Sequence, residues 1–152
     1  MLMTIEALLK KTNLFLLDMD GTLYIDDIPI GAVRETLARL RGAGKRLVYC
    51  TNNSSKTPEE YRAKLERIGL WGEGDFVYTS GIAAAEYLKK HYAGKSVYLA
   101  GREALKEDFA ARGIRLTEEK PDVCVLAYDT ALTFEKLVKL NEFLVGGSFY
   151  VA

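Results

Sequence analysis

NLFLLDMDGTLYIDD, Asn13 to Asp27, sets the terms on which the rest of the chain is read. Its apolar run, Leu14 to Leu17, delivers two carboxylates, Asp18 and Asp20, into a turn at Gly21. A short apolar run closed by a glycine turn reads as a buried strand. Two carboxylates two residues apart concentrate negative charge at the strand's end, where like charges repel. A metal ion is the first candidate to offset that repulsion.

Outward from this stretch, apolar runs alternate with helical segments, the pattern of an α/β fold with parallel strands. Strands are expected at Leu14–Asp18, Arg46–Thr51, Phe76–Thr79, Ser96–Ala100, Val123–Ala127 and Phe149–Ala152. Between the first two, Val33, Leu37 and Leu40 follow helical spacing over Ala32–Arg41, with Gly42 or Gly44 as terminator. In TPEEYRAKLERIG, Thr57 fits an N-cap, Pro58 the first helical position, Glu60 the capping-box partner and Gly69 the stop. Further helices are expected over Gly81–His91, over Glu103–Arg112, and over Phe134–Leu144 behind Thr133. Leu8 and Leu9 also sit in a helical pattern. The segment KKHYAGKS, from Lys89 to Ser96, is the nearest thing to a boundary, giving units over 1–93 and 94–152.

The 152 residues are 49% hydrophobic and 28% charged, which supports a globular core and excludes a disordered chain. Lys plus Arg number 21, as do Asp plus Glu, so no broad basic face is available for nucleic acid and no polybasic anchor for a membrane. No apolar run approaches the ~20 residues of a membrane span. The N-terminal stretch lacks the order of a signal peptide. Cys50 and Cys124 lie far apart in apolar runs, without disulfide or zinc spacing, and read as reduced thiols of a cytoplasmic protein. His91, among lysines at a helix end, reads as exposed and uninvolved.

A second apolar run, RLVYCT, ends on Thr51 and leads into Asn52, Asn53, Ser54 and Ser55. A right-handed crossover makes its strand the neighbour of Leu14–Asp18. Ligands gather at the carboxyl ends of parallel strands, so Asp18 and Thr51 are expected at one edge of the sheet. A hydroxyl and two amides beside two carboxylates suit an oxyanion held through a cation. Mg²⁺ accepts one or two carboxylates and bridges to phosphate. The plainer alternatives are strand-end solvation for the aspartates and a polar loop with a helix cap for Thr51–Ser55. Asp26 and Asp27 read as hairpin-turn residues. GREALKED, Gly101 to Asp108, reads as a helix start with exposed charges. Tyr128 and Asp129 read as a strand end, with lining of a substrate cleft as the alternative.

DMDGTLY (Asp18–Tyr24) resembles the first motif of the haloacid dehalogenase superfamily. TNNSSKTPEEY (Thr51–Tyr61) resembles its second motif in the form of the class IIA members, the NagD-like or 4-nitrophenyl-phosphatase group, which includes phosphoglycolate and pyridoxal phosphate phosphatases. YTSGIAAAEYL and PDVCVLAYD extend the likeness through nearly the whole chain. The resemblance implies a Rossmann-like parallel sheet over 1–93, a partial core, followed by the first part of an α/β C2-type cap over 94–152. It implies a hydrolase that cleaves small phosphorylated metabolites through an aspartyl-phosphate. Asp18 would be the nucleophile and Asp20 the general acid and base. The Asp18 carboxylate and the Asp20 carbonyl would hold Mg²⁺. Gly21, Thr51, Asn52 and Asn53 would bind phosphate, under a turn and hairpin formed by Thr22–Ile30. A homodimer through the cap is a further expectation.

The family pattern has two more motifs, a lysine and an acidic pair, downstream of Ala152. Gly74-Asp75 precedes an expected strand instead of following one, and no lysine stands in the family context. GGSFYVA reads as a turn into a strand, so the sequence is expected to be a fragment. In the family, strands bearing the further motifs flank the Asp18 strand, which without them would be an edge. A non-catalytic phosphate-binding or scaffold domain is the alternative from another class, and a phosphotransferase or phosphomutase is a third.

Overall fold

The run Leu14–Leu17 and its carboxylate form strand β1 (Leu14–Asp18) in a computed structural model that describes residues 4–152. The first three residues of the unit expected over 1–93 lie outside the described residues. Before β1 stands α1 (Ile5–Lys11), whose N-terminus is capped by the Thr4 hydroxyl accepting from the Ala7 N–H. After β1 come a hairpin of β2 (Tyr24–Ile25) and β3 (Ile28–Pro29), helix α2 (Val33–Gly42), strand β4 (Arg46–Thr51), helix α3 (Pro58–Arg67) and strand β5 (Phe76–Thr79). Asp26 and Asp27 occupy the hairpin turn, Asp26 at a φ of 52°, a conformation that aspartate tolerates better than most residues.

β1, β4 and β5 make one sheet in that order. β1 and β4 run parallel, Leu14 opposite Arg46 and Asp18 opposite Cys50, so the α2 crossover joins neighbouring strands as expected. In the core of this unit, Leu37, Leu47, Tyr49, Tyr61, Leu65 and Leu70 are almost completely buried. Each aliphatic side chain there contributes about 1.5–3 kcal/mol by leaving water. Asp75 fixes the return to β5. Its carboxylate accepts from Arg41 at 2.6 Å and from the Gly72 N–H at 3.0 Å, while the Tyr49 hydroxyl donates to the Leu70 carbonyl at 2.5 Å. Asp75 is therefore an anchor of the loop before β5.

The second sheet contains β7 (Arg115–Leu116), β6 (Ser96–Ala100), β8 (Val123–Leu126) and β9 (Phe149–Val151), in that spatial order and all parallel. Helices α4 (Ser80–His91) and α5 (Glu103–Ala111) cover one face, packing Ala85, Leu88, Leu105 and Phe109 on Val97, Leu99, Val123 and Val125. Helix α6 (Phe134–Val145), capped by the Thr133 hydroxyl, covers the other with Leu140 on Tyr98, Ala100 and Cys124. Coverage on both faces explains why β6 and β8 read as continuous apolar runs.

The described chain divides into two compact units. One holds the residues up to Thr51 with Pro58–Tyr78; the other holds Asn52–Thr57 with Thr79–Ala152. The second unit thus begins ahead of the expected boundary at Gly94, because α4 buries its apolar face on β6 and β8. β7 has no counterpart among the expected strands, since two residues are too short to carry a periodic signal. Cys50 and Cys124 are both free thiols, Cys124 buried and Cys50 half-buried. His91 is exposed and lies against the Tyr87 ring.

Candidate active site

The pleat of β1 carries directly into the site. Met19 is completely buried, while Asp18 and Asp20 on either side of it are exposed. Alternation of side chains along an extended backbone accounts for the two-residue spacing of the carboxylates. The turn follows at once: Thr22 and Leu23 donate to the Met19 carbonyl, and Gly21 donates to the Tyr24 carbonyl at 2.8 Å. Gly21 has a φ of 81°, which a side chain would strain, although nothing lies within 4 Å of where a Cβ would stand. The Thr22 hydroxyl donates to Asp18 Oδ2 at 2.6 Å, fixing one carboxylate oxygen.

Thr51 closes β4 one residue beyond the partner of Asp18, at the carboxyl edge shared by both strands. Its side chain shares a hydrogen bond with the Tyr61 hydroxyl of α3. Burial pushes the Tyr61 phenol up, so it stays neutral. Cys50 faces Asp18 across the ladder, and burial likewise pushes its thiol up, which leaves it a poor nucleophile.

Helix α3 also carries Lys64, whose side chain is 11% exposed. Its ammonium lies 3.7 Å from Asp20 Oδ1, 4.0 Å from Asp27 Oδ1 and 3.9 Å from the centre of the Tyr24 ring. Arg67, one turn on, holds both oxygens of Asp27 at 3.0 and 3.1 Å. The Tyr24 hydroxyl is buried beside Asp20 but makes no hydrogen bond of acceptable geometry. Burial first, then the Asp20 charge, push that phenol far above its ordinary value.

Asn52 and Asn53 belong to the second unit, with the rest of the loop to Thr57. The Asn52 carbonyl accepts from the Ser80 hydroxyl at 2.8 Å, and Asn53 Oδ1 accepts from the Ser55 N–H at 2.8 Å. Ser54 Oγ accepts from the Tyr128 N–H at 2.9 Å, and the Arg102 guanidinium donates to the Ser55 carbonyl. Arg102, expected as an exposed helix-start charge, is therefore half-buried and holds this loop. Asp129 has a fully buried side chain paired with Lys136 at 2.6 Å. Burial opposes its charge, but Lys136 and the Ala131 N–H outweigh that and hold the carboxyl below its usual range. Asp129 is thus a structural ion-pair member, while Tyr128 is 63% exposed.

For a metal, this edge offers the Asp18 carboxylate and the Asp20 backbone carbonyl. These are hard oxygen donors of the kind and number Mg²⁺ takes from a protein. Among the described residues no three His, Cys, Asp or Glu side chains cluster as a metal cage. Oxygen donors of this kind suit a cation that keeps several waters in its shell.

A parallel α/β sheet with an Asp-x-Asp-Gly-Thr turn at its carboxyl edge defines a class, and comparison with known proteins agrees. Residues 15–115 match the haloacid dehalogenase-like hydrolases, and the chain belongs to that family. The chain is 33% identical to an acid sugar phosphatase of Staphylococcus saprophyticus over 130 residues, 85% of this chain and 50% of that protein. The crystal structure of a 4-nitrophenylphosphatase from Thermotoga maritima superposes with a TM-score of 0.87 at 42% identity, covering 93% of this chain and 54% of that one. A glycerol phosphate phosphatase from Mycobacterium tuberculosis, in complex with calcium, gives a TM-score of 0.86 at 30% identity over 95% and 43%. The same protein in complex with magnesium gives 0.83 at 29% over 92% and 43%. The chain thus spans about half the length of the relatives it matches.

Lys64, Tyr61 and Tyr24 are the site neighbours that sequence reasoning missed. A signal for Lys64 existed: Tyr61, Lys64, Leu65 and Ile68 sit at i, i+3, i+4 and i+7, placing a lysine inside the apolar stripe of α3.

Proposed function

We propose that the full-length protein is a Mg²⁺-dependent phosphatase of small phosphorylated metabolites, working through an aspartyl-phosphate on Asp18. The observation that carries the reading is the placement of Asp18, held by Thr22, at one sheet edge with Asp20 and Thr51. Asp18 attacks phosphorus, and Asp20 protonates the departing alkoxide. Asp20 then takes a proton from the water that releases phosphate, while Thr51, with Asn52 and Asn53, binds the phosphoryl oxygens. Gly21 lets the backbone turn close against the phosphate. Mg²⁺, held by the Asp18 carboxylate and the Asp20 carbonyl, would neutralise the charge that keeps a carboxylate from a phosphate dianion.

The relatives support a monoester of a small alcohol as substrate, being acid sugar, 4-nitrophenyl and glycerol phosphate phosphatases by name. The second unit is read as the first part of a cap, through which the protein forms a homodimer, and the setting as cytoplasmic. Among the described residues no helix is long and apolar enough to cross a membrane. A second reading is a phosphate-binding or scaffold domain without turnover.

Hydrolysis of 4-nitrophenyl phosphate and glycerol phosphate by the full-length gene product decides between them. Asp18→Asn should abolish both activities, because an amide cannot form the aspartyl-phosphate. Asp20→Asn should lose about 10²–10⁴-fold, more with the alkyl ester. Thr51→Ala should lose on the order of 10²–10³-fold. Equal activity in wild type and Asp18→Asn would overturn the mechanism, and phosphate binding without any turnover would establish the second reading.

A further inference from the structure

Lysine is among the residues least often buried, and burying its charge is costly unless it is paired. Lys64 nevertheless sits within the apolar stripe of α3, at 9% residue exposure, with its ammonium on the Tyr24 ring. Its acidic neighbours are Asp20 and Asp27, and the shorter approach is to Asp20. Tethering the hairpin does not account for it, because Arg67 already grips Asp27 through two hydrogen bonds. Tyr24 places a second group at the same carboxylate: its buried hydroxyl lies beside Asp20.

We propose that Lys64, seated on the Tyr24 ring, is a positioning residue that holds the Asp20 carboxyl in the geometry proton transfer requires. The inference rests on the phosphatase reading above. Asp20 needs such a support. Its side chain is 54% exposed and belongs to the residue just before the left-handed Gly21. The Lys64 ammonium stands 3.7 Å from Oδ1, an ion pair on one oxygen of the carboxylate. General acid catalysis is decided first by geometry, and a misplacement of about 1 Å costs on the order of 10²-fold. The ammonium belongs to a side chain that is almost wholly buried, so its part is to restrain Asp20.

A support for the acid has a signature that a merely structural lysine lacks. Loss of proton donation matters for an alkoxide leaving group and little for nitrophenolate. Lys64→Met in the full-length protein, chosen because its unbranched side chain fits the apolar stripe, should lower kcat for glycerol phosphate by on the order of 10–10²-fold. The kcat for 4-nitrophenyl phosphate should fall far less, with KM unchanged for both esters. Lys64→Arg should restore most of the alkyl-ester activity. In an Asp20→Asn background Lys64→Met should cost nothing further, the non-additivity expected of two residues acting as one unit. Asp27→Asn should not reproduce the leaving-group selectivity. An equal loss on both esters, or a full additive loss in the Asp20→Asn background, would overturn the proposal. If Lys64→Met does not fold, as judged by thermal melting, Lys64→Gln assayed on the same two esters takes its place, with the same expected and overturning results. Retained activity in Asp18→Asn would instead sink the phosphatase reading itself.

Discussion

β1 and β6 are the same length and both read as apolar runs, yet only one of them is buried. Every residue of β6 is inside, whereas β1 alternates exposed and half-buried positions. β6 lies between β7 and β8, with α4 and α5 on one face and α6 on the other. Among the described residues β1 pairs with β4 alone, and Leu14 and Leu16 are 40% and 68% exposed. One of its faces, with Leu9 and Leu40, lines an open groove of ≈ 730 Å³. An apolar run states what kind of covering a strand suits; its neighbours decide whether it is covered.

The largest expected effect tests this contrast directly. Leu99→Ala in β6, where the side chain is 2% exposed, should cost about 2–5 kcal/mol in urea denaturation. A loss below that range would mean that β6 is less tightly packed than its burial implies. Next in size is Asp75→Asn, which removes the charge that pairs with Arg41 and one of the acceptor oxygens shared by Arg41 and the Gly72 N–H. A fully buried pair broken on one side costs about 3–5 kcal/mol, and partial exposure of Arg41 lowers this to roughly 2–3 kcal/mol. The effect should appear in hydrogen exchange of β4 and leave β6 unchanged; equal loosening of both strands would erase the distinction between the units.

The second unit should also carry its own acid sensitivity. Hydrogen bonds from the Ser96 N–H and hydroxyl, with Lys95, hold the Asp122 carboxyl down at about 2. Its unfolded value is about 3.9. A depressed carboxylate stabilises the fold above the unfolded value, and that contribution disappears as pH falls through the folded one. Stability of the β6–β8 region should therefore decline between about pH 4 and pH 2. In Asp122→Asn that slope should flatten; an unchanged slope would assign acid sensitivity to other groups. The smallest effect closes the comparison: in this 152-residue chain Leu16→Ala in β1 should shift stability by no more than about 0.5 kcal/mol. A cost matching Leu99→Ala would show that β1 is covered in solution.

What could be read from the sequence shares one property: its signals are local. Leu14–Asp18 ends in a glycine turn, Pro58 opens α3, Thr133 caps α6, and each lies within a few residues of what it specifies. The placement of Asp18, Asp20 and Thr51 at one edge was legible because strand ends in a parallel sheet gather there whatever the details of packing. Other features were settled only in three dimensions. α4 joined the second unit because Ala85 and Leu88 found their apolar partners on β6 and β8, ahead of the boundary that KKHYAGKS suggested. Asp129 turned out to be neutralised by Lys136, a contact across a loop. Lys64 and Asp20 stand far apart in the chain, and no spacing rule connects them. Only the packing of α3 against the β1 turn brings a buried ammonium beneath a carboxylate. Local sequence sets which segments are helix or strand through backbone preference and periodic apolarity, whereas side-chain partners depend on burial and charge pairing that arise when those segments meet.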